Sequence, residues 1–180
     1  MRKLLLFLVF SALYISQVFG DDYCGIRIVG DKEFISQVKA SLELISRFVH
    51  EEFANIQRYI GIIEQNKRSG MFAYKKPPKY QMSKVTAFYS LTWCAGTIAH
   101  DSYHSKLYHD YKEFYGEFVP DNVWIGREAE AKCLAYQLMV MQKIGAPEYE
   151  LNYLKILDSN YYDIDRDGDY DKKDYIKRNW

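Results

Sequence analysis

The sequence predicts an α+β domain, mainly helical, in which a short mixed or antiparallel sheet comes before the helices that carry the chemistry. Apolar residues recur at helical spacing in Phe34, Ile35, Val38, Leu42, Ile45, Phe48 and Val49, and two later stretches, Trp93 to Tyr108 and about Arg127 to Ile144, also read as helices. Extended-chain signals are confined to short runs around Cys24–Gly30, Met71–Tyr74 and Lys79–Met82. No internal repeat or low-complexity linker interrupts this order.

The first twenty residues read as a secretory signal peptide. Arg2 and Lys3 form a basic start, Leu4 to Ile15 an apolar run, and Val18-Phe19-Gly20 a small-residue cleavage site. The run is too short to span a bilayer, so no stable membrane anchor is expected after its removal, and a secreted or periplasmic protein is. Cys24 is not read as a lipid-attachment site, because Asp21-Asp22-Tyr23 are polar or bulky where such a site needs small residues. Residues 21–158 are expected to form the main domain and 159–180 a calcium-binding loop with a terminal helix.

Asp31 can cap the first helix. Tyr59 to Ile63 could extend the helical region or form a strand, since β-branched residues are dense there. Ser69-Gly70 makes a turn, and the chain around Pro77-Pro78 is extended. Ser83 or Thr86 would start the helix over Trp93–Tyr108, which must end before Gly116 and Pro120. Residues 120–126 form a loop. The helix from about Arg127 to Ile144 stops at Gly145-Ala146-Pro147, a glycine-then-proline terminator. Pro147 opens a further helix, with Glu148 and Glu150 near the positive end of its dipole, ending near Asp158.

The 180 residues carry 24 basic and 24 acidic side chains; without Arg2 and Lys3 the balance is 22 against 24, a net charge of −2. Nothing in that balance suggests nucleic acid or an anionic membrane surface as a partner. The 17 tyrosines suit an extracellular surface that contacts peptide or carbohydrate.

His100 and His104 stand four residues apart on the Trp93–Tyr108 helix. Four residues turn an α-helix by about 400° and advance it by about 6 Å, so both imidazoles leave one face and can close on one metal ion. Ala95, Gly96 and Ala99 before them let another element lie close. A zinc site that does chemistry needs a third protein ligand. His109 and Asp110 lie too far up an unbroken helix; Asp110 is about 15 Å from His100 along the axis. Glu128 is favoured because Ala131 and Ala135 share its face and would let two helices approach, with Glu130 the alternative.

His100-Asp101-x-x-His104 followed by Arg127-Glu128-x-x-Ala131 resembles the gluzincin zinc metallopeptidases, over a region from near Lys79 to Ile144. The resemblance implies a zincin-like core with two metal-bearing helices, zinc ligands His100, His104 and Glu128, and a peptide substrate lying along an edge strand. It also implies that Asp101 is the general base, in a place where the family has glutamate. Aspartate is one methylene shorter, and a displacement of roughly 1 Å can cost ~100-fold in rate. If the two helices run antiparallel, Cys94 and Cys133 point toward the same end and could form a disulfide; Cys24 could claim either partner, and three free thiols are the alternative.

Asp163 to Asp174 has the register of a twelve-residue calcium loop, with Asp163, Asp165, Asp167, Asp169 (through its carbonyl), Asp171 and Asp174 at the liganding positions and Gly168 at the sharp turn. Aspartate at the last position, with Tyr175 to Trp180 helical behind it, resembles one loop of a dockerin repeat more than a paired EF-hand. A lone loop points to structural calcium.

These readings together predict a secreted zinc-dependent hydrolase, most simply a peptidase acting on peptide or protein, braced by calcium. The alternatives are a non-catalytic calcium-stabilised binding module, and a metal-binding pseudoprotease in which Asp101 does not support catalysis.

Overall fold

The computed structural model describes residues 18–116, 118–168 and 172–177. The chain is α+β and mainly helical, with a mixed five-stranded sheet in the order β1-β2-β3-β5-β4. β1 (Phe19–Tyr23) and β2 (Ile26–Gly30) form an antiparallel hairpin through Cys24 and Gly25, both at positive φ. β1 therefore begins inside the stretch expected to be removed with the signal peptide, whose residues 1–17 lie outside the described residues.

Asp31 caps α1 (Lys32–Phe48) by accepting a hydrogen bond from the Phe34 amide, as its position predicts. The ambiguous Tyr59–Ile63 stretch divides: α2 (His50–Tyr59) ends in it and β3 (Ile62–Asn66) starts in it. A parallel β2–β3 pair needs such a long crossover, and α1 and α2 supply it. β3 also pairs in parallel with β5 (Lys79–Ser83), and β4 (Gly70–Phe72) closes the sheet by running antiparallel to β5.

Ile28, Ile63, Tyr80 and Met71 are successive partners across the sheet, and the first three are fully buried. Their row faces Phe34, Leu42 and Ile98 in the core, while Arg27 between Ile26 and Ile28 is exposed. This is the alternation of a sheet covered on one face.

Ser83 caps only a single turn, α3 (Lys84–Ala87). The histidine helix, α4 (Leu91–Tyr115), begins later than expected, with Ser90 accepting from the Trp93 amide, and runs unbroken to Gly116 at φ 106°. The expected loop over 120–126 contains a helical turn, α5 (Asp121–Trp124). α6 (Arg127–Lys143) and α7 (Glu148–Ile156) follow, joined through Gly145 at φ 74°. The last described element is α8 (Lys172–Lys177); residues 178–180 lie outside the described residues. No helix among the described residues is long and apolar enough to cross a membrane.

α4 and α6 form the closest helix pair. A Cβ added to Gly96 would lie 2.4 Å from Met141 Sδ and 3.3 Å from Gln137 Cγ, so α6 rests against the bare backbone at that point. Residues near the start of α4 meet the end of α6, while His100 and His104 meet Glu130 near its start, so the two helices are antiparallel.

Candidate metal centre

His100 and His104 are both buried, and their Nε2 atoms lie 3.1 Å apart. Glu130, equally buried, faces them from α6: Oε2 is 3.2 Å from His100 Nε2, and Oε1 is 3.5 Å from His104 Nε2. Donors about 2.0–2.1 Å from a tetrahedral zinc are separated by about 3.3 Å; the two imidazole nitrogens stand close to that spacing, and a different Glu130 oxygen faces each of them. His104 is also oriented from behind. Its Nδ1 lies 2.6 Å from the Trp124 carbonyl oxygen, so Nδ1 carries the proton and Nε2 points inward, the arrangement typical of a ligating histidine. The short helix α5 exists on this account as more than a connection, since it delivers that carbonyl.

Glu128, favoured by the sequence, is exposed. Two residues rotate an α-helix by about 200°, so Glu128 and Glu130 cannot face the same partner. The buried face of α6 runs through Glu130, Leu134, Gln137 and Met141, a helical stripe visible in the sequence. Ala131 and Ala135 lie on the exposed side, where small side chains serve no close approach. His109 and Asp110 are remote from the centre, as the helix geometry requires: His109 contacts the Ala73 carbonyl, and Asp110 accepts from Tyr59 and pairs with Lys106.

The expected Cys94–Cys133 bridge is absent, and both residues are buried free thiols, while Cys24 is free and exposed. Six residues separate Cys94 from His100, which turns Cys94 about 120° away from the histidine face. Its Sγ lies 3.7 Å from Met82 Sδ, toward the sheet. Cys133 instead joins the histidines: its Sγ and one nitrogen of each imidazole lie within 4.8 Å of one another. Cys133 stands about one turn beyond Glu130, and nothing in the sequence marks it as a neighbour of the histidines.

Burial alone would raise the Glu130 pKa, but the imidazoles, His104 foremost, hold its carboxyl well below the usual carboxylate range. Burial likewise opposes a charge on His104, yet Cys133 and Glu130 outweigh it and raise this imidazole well above its ordinary value. Burial pushes the Cys133 thiol up as well.

The cluster opens on a cavity of about 1020 Å³. Gly70, Met71 and Phe72 of the edge strand form one wall, and Tyr74 and Trp124, in edge-to-face contact at 6.4 Å, continue it. Asp101 also lines it, close enough to Tyr80 that its charge, added to burial, raises the Tyr80 hydroxyl well above its usual pKa. From the opposite side Tyr161 donates a 3.1 Å hydrogen bond to Glu130 Oε2.

In the acidic segment, carboxylate oxygens of Asp163, Asp165 and Asp174 lie within 4.8 Å of one another. Gly168, at φ 92°, turns the chain so that its amide donates to Asp163 Oδ2 at 3.0 Å. Asp174, almost wholly buried, accepts from the Ile164 amide at 2.8 Å. Asp163 is only 6% exposed, and its Oδ1 is buried without a hydrogen-bond partner among the described residues. Asp167 is exposed, and Asp169 and Asp171 lie outside the described residues.

Compared with protein-family models, curated proteins and solved structures, the chain matches none of them.

Proposed function

We propose that the protein is a zinc-dependent hydrolase acting on peptide substrates, with His100, His104 and Glu130 as metal ligands and structural calcium in the loop from Asp163 to Asp174. The observation that carries this reading is the convergence of two imidazoles and a carboxylate, 3.1 to 3.5 Å apart, at the wall of a large cavity. Zinc held there supplies Lewis-acid polarisation of a substrate carbonyl. The rest falls to the chain itself. β4 ends the sheet and borders the cavity, so an extended peptide can add to it as a further strand. Tyr74 and Trp124 offer an aromatic surface to an apolar side chain beside the scissile bond. Asp101, on the cavity wall next to His100, accepts the proton of the attacking water.

The secreted or periplasmic location belongs to this proposal and rests on the basic and apolar character of the first twenty residues. Calcium in the acidic loop is supported by the orphaned, buried Asp163 Oδ1 beside two further carboxylates.

A second reading is favoured by Cys133. If its sulfur joins the three other donors the centre is four-coordinate and closed, as structural zinc sites are, and the protein holds metal without hydrolysis. Hydrolysis of a denatured protein substrate separates the two readings. The hydrolase reading expects zinc-dependent cleavage that Asp101→Ala abolishes and Cys133→Ala retains. A closed site expects no cleavage, and a sulfur-to-metal charge-transfer band in the cobalt-substituted protein that Cys133→Ala removes. Equal and negligible zinc in the purified protein and in His100→Ala would refute both.

A further inference from the structure

The acidic loop and the histidine centre are in direct contact through the residues that flank the loop. Asp163 begins the loop, and the turns just before it, Tyr161 N–H to the Asp158 carbonyl and Asp163 N–H to the Asn160 carbonyl, leave little slack. The Asn160 side chain also donates to Asp163 Oδ2 at 3.1 Å. Tyr161, two residues from Asp163, is the residue that donates to Glu130 Oε2, the same oxygen that faces His100. At the other end of the loop, Tyr175 follows Asp174 and packs on β4: its Cε2 lies 3.2 Å from where a side chain on Gly70 would begin. Arg68, just before β4, donates to the Ile176 carbonyl at 2.6 Å. Tyr161 and Tyr175 both line the cavity.

From this geometry we infer that cation binding in the acidic loop regulates the histidine centre: calcium between Asp163 and Asp174 fixes Tyr161 on Glu130 and so tightens metal binding by His100, His104 and Glu130. The inference rests on the proposed metal centre and adds its control. A cation drawing Asp163 and Asp174 together sets the separation of their neighbours, and those neighbours touch α6 on one side and the edge strand on the other. Tyr161 is a positioning residue. Its hydrogen bond holds the Glu130 carboxylate in the orientation the ligand set needs, and outer-shell bonds of this kind are worth about 10–100-fold in metal affinity. Coupling through it is reciprocal, so zinc at the histidines must tighten calcium by the same factor.

Calorimetric titration of zinc into the metal-free full-length protein, with and without saturating calcium, tests this. Wild type is expected to bind zinc about tenfold more tightly with calcium present, and calcium about tenfold more tightly with zinc present. Tyr161→Phe, which keeps the ring and removes only the hydroxyl, is expected to bind zinc with the affinity of the calcium-free wild type and to respond less than about twofold to calcium. Asp163→Asn provides a second route, with weakened calcium binding and zinc affinity at the calcium-free level. Zinc binding that is normal but indifferent to calcium, a calcium response that persists in Tyr161→Phe, or failure of the loop to take up calcium would each overturn the inference while leaving the zinc centre standing. No zinc binding under any condition would overturn the centre and its control together.

Discussion

The two clusters of potential metal ligands in this protein are built in opposite ways. The segment from Asp163 to Asp174 brings three of its own carboxylates, Asp163, Asp165 and Asp174, together with the help of a glycine turn and a few amide hydrogen bonds. The histidine centre takes its groups from α4 and α6, and it exists only because α6 settles onto the bare backbone at Gly96 and because α5 presents a carbonyl to His104. A locally encoded site can be assembled by its own segment. A site made between helices inherits every requirement of their packing.

The sharpest way to break this contrast is to change the two carboxylates at the start of α6 one at a time. Glu130→Ala is expected to weaken zinc binding by more than the roughly 100-fold of an outer-shell change, leaving calcium binding measurable, whereas Glu128→Ala should leave zinc affinity within about twofold. Equal losses in both variants would show that the helix does not present the face described. Next in size is Gly96→Ala. The added methyl meets Met141, so overpacking should cost about 1–3 kcal/mol despite alanine's better helix propensity, with thermal unfolding as the measure and weaker zinc binding as its consequence. The calcium affinity of the loop should change far less.

On the loop side, Asp174→Ala removes a buried side chain and the acceptor of the part-buried Ile164 amide and should lower stability by about 1 kcal/mol, with limited proteolysis cutting first after α7. Cleavage beginning instead between α4 and α6 would reverse the assignment of which region depends on its own segment.

The smallest effect concerns Asp31, whose bonds from Lys84 and the Phe34 amide, against a smaller opposing effect of burial, lower its pKa to about 2. A depressed folded-state pKa means that its contribution is present above the unfolded value near 4 and is lost as pH falls toward 2. Asp31→Ala should therefore cost about 1 kcal/mol at neutral pH and much less at pH 2, read from denaturant midpoints at the two pH values. The contacts of Asp31 are with Phe34, Gln65 and Lys84, none of which belongs to either cluster, so the change should leave zinc and calcium affinities unaltered.

Much of this was legible in the sequence because it was local. Asp31 caps α1 since an aspartate before a helical stripe has an amide to accept from, and Gly145 ends α6 since glycine adopts positive φ without strain. His100 and His104 share a face by the arithmetic of one helical turn. Small neighbours in the sequence point to Glu128 as the residue on the contact face of α6, whereas the structure buries Glu130 there and leaves Glu128 exposed. The gap is in fact provided by the partner, through Gly96, while Ala131 and Ala135 face outward. The cysteines stay unbridged for a related reason: offsets along two helices give height, whereas bond formation also needs the right rotation, and Cys94 is turned toward Met82.

Left to itself, then, the sequence determined the fold class, the cap of α1, the glycine end of α6 and the shared face of the histidine pair, because caps, periodicity and turn residues act over a few neighbouring positions. Only the tertiary structure decided which carboxylate meets the histidines, that Cys133 joins them, and that Tyr161 ties the loop to Glu130. Each of those depends on how one helix or segment is rotated against another, and that rotation is set by the packing of the whole core rather than by the residues that use it.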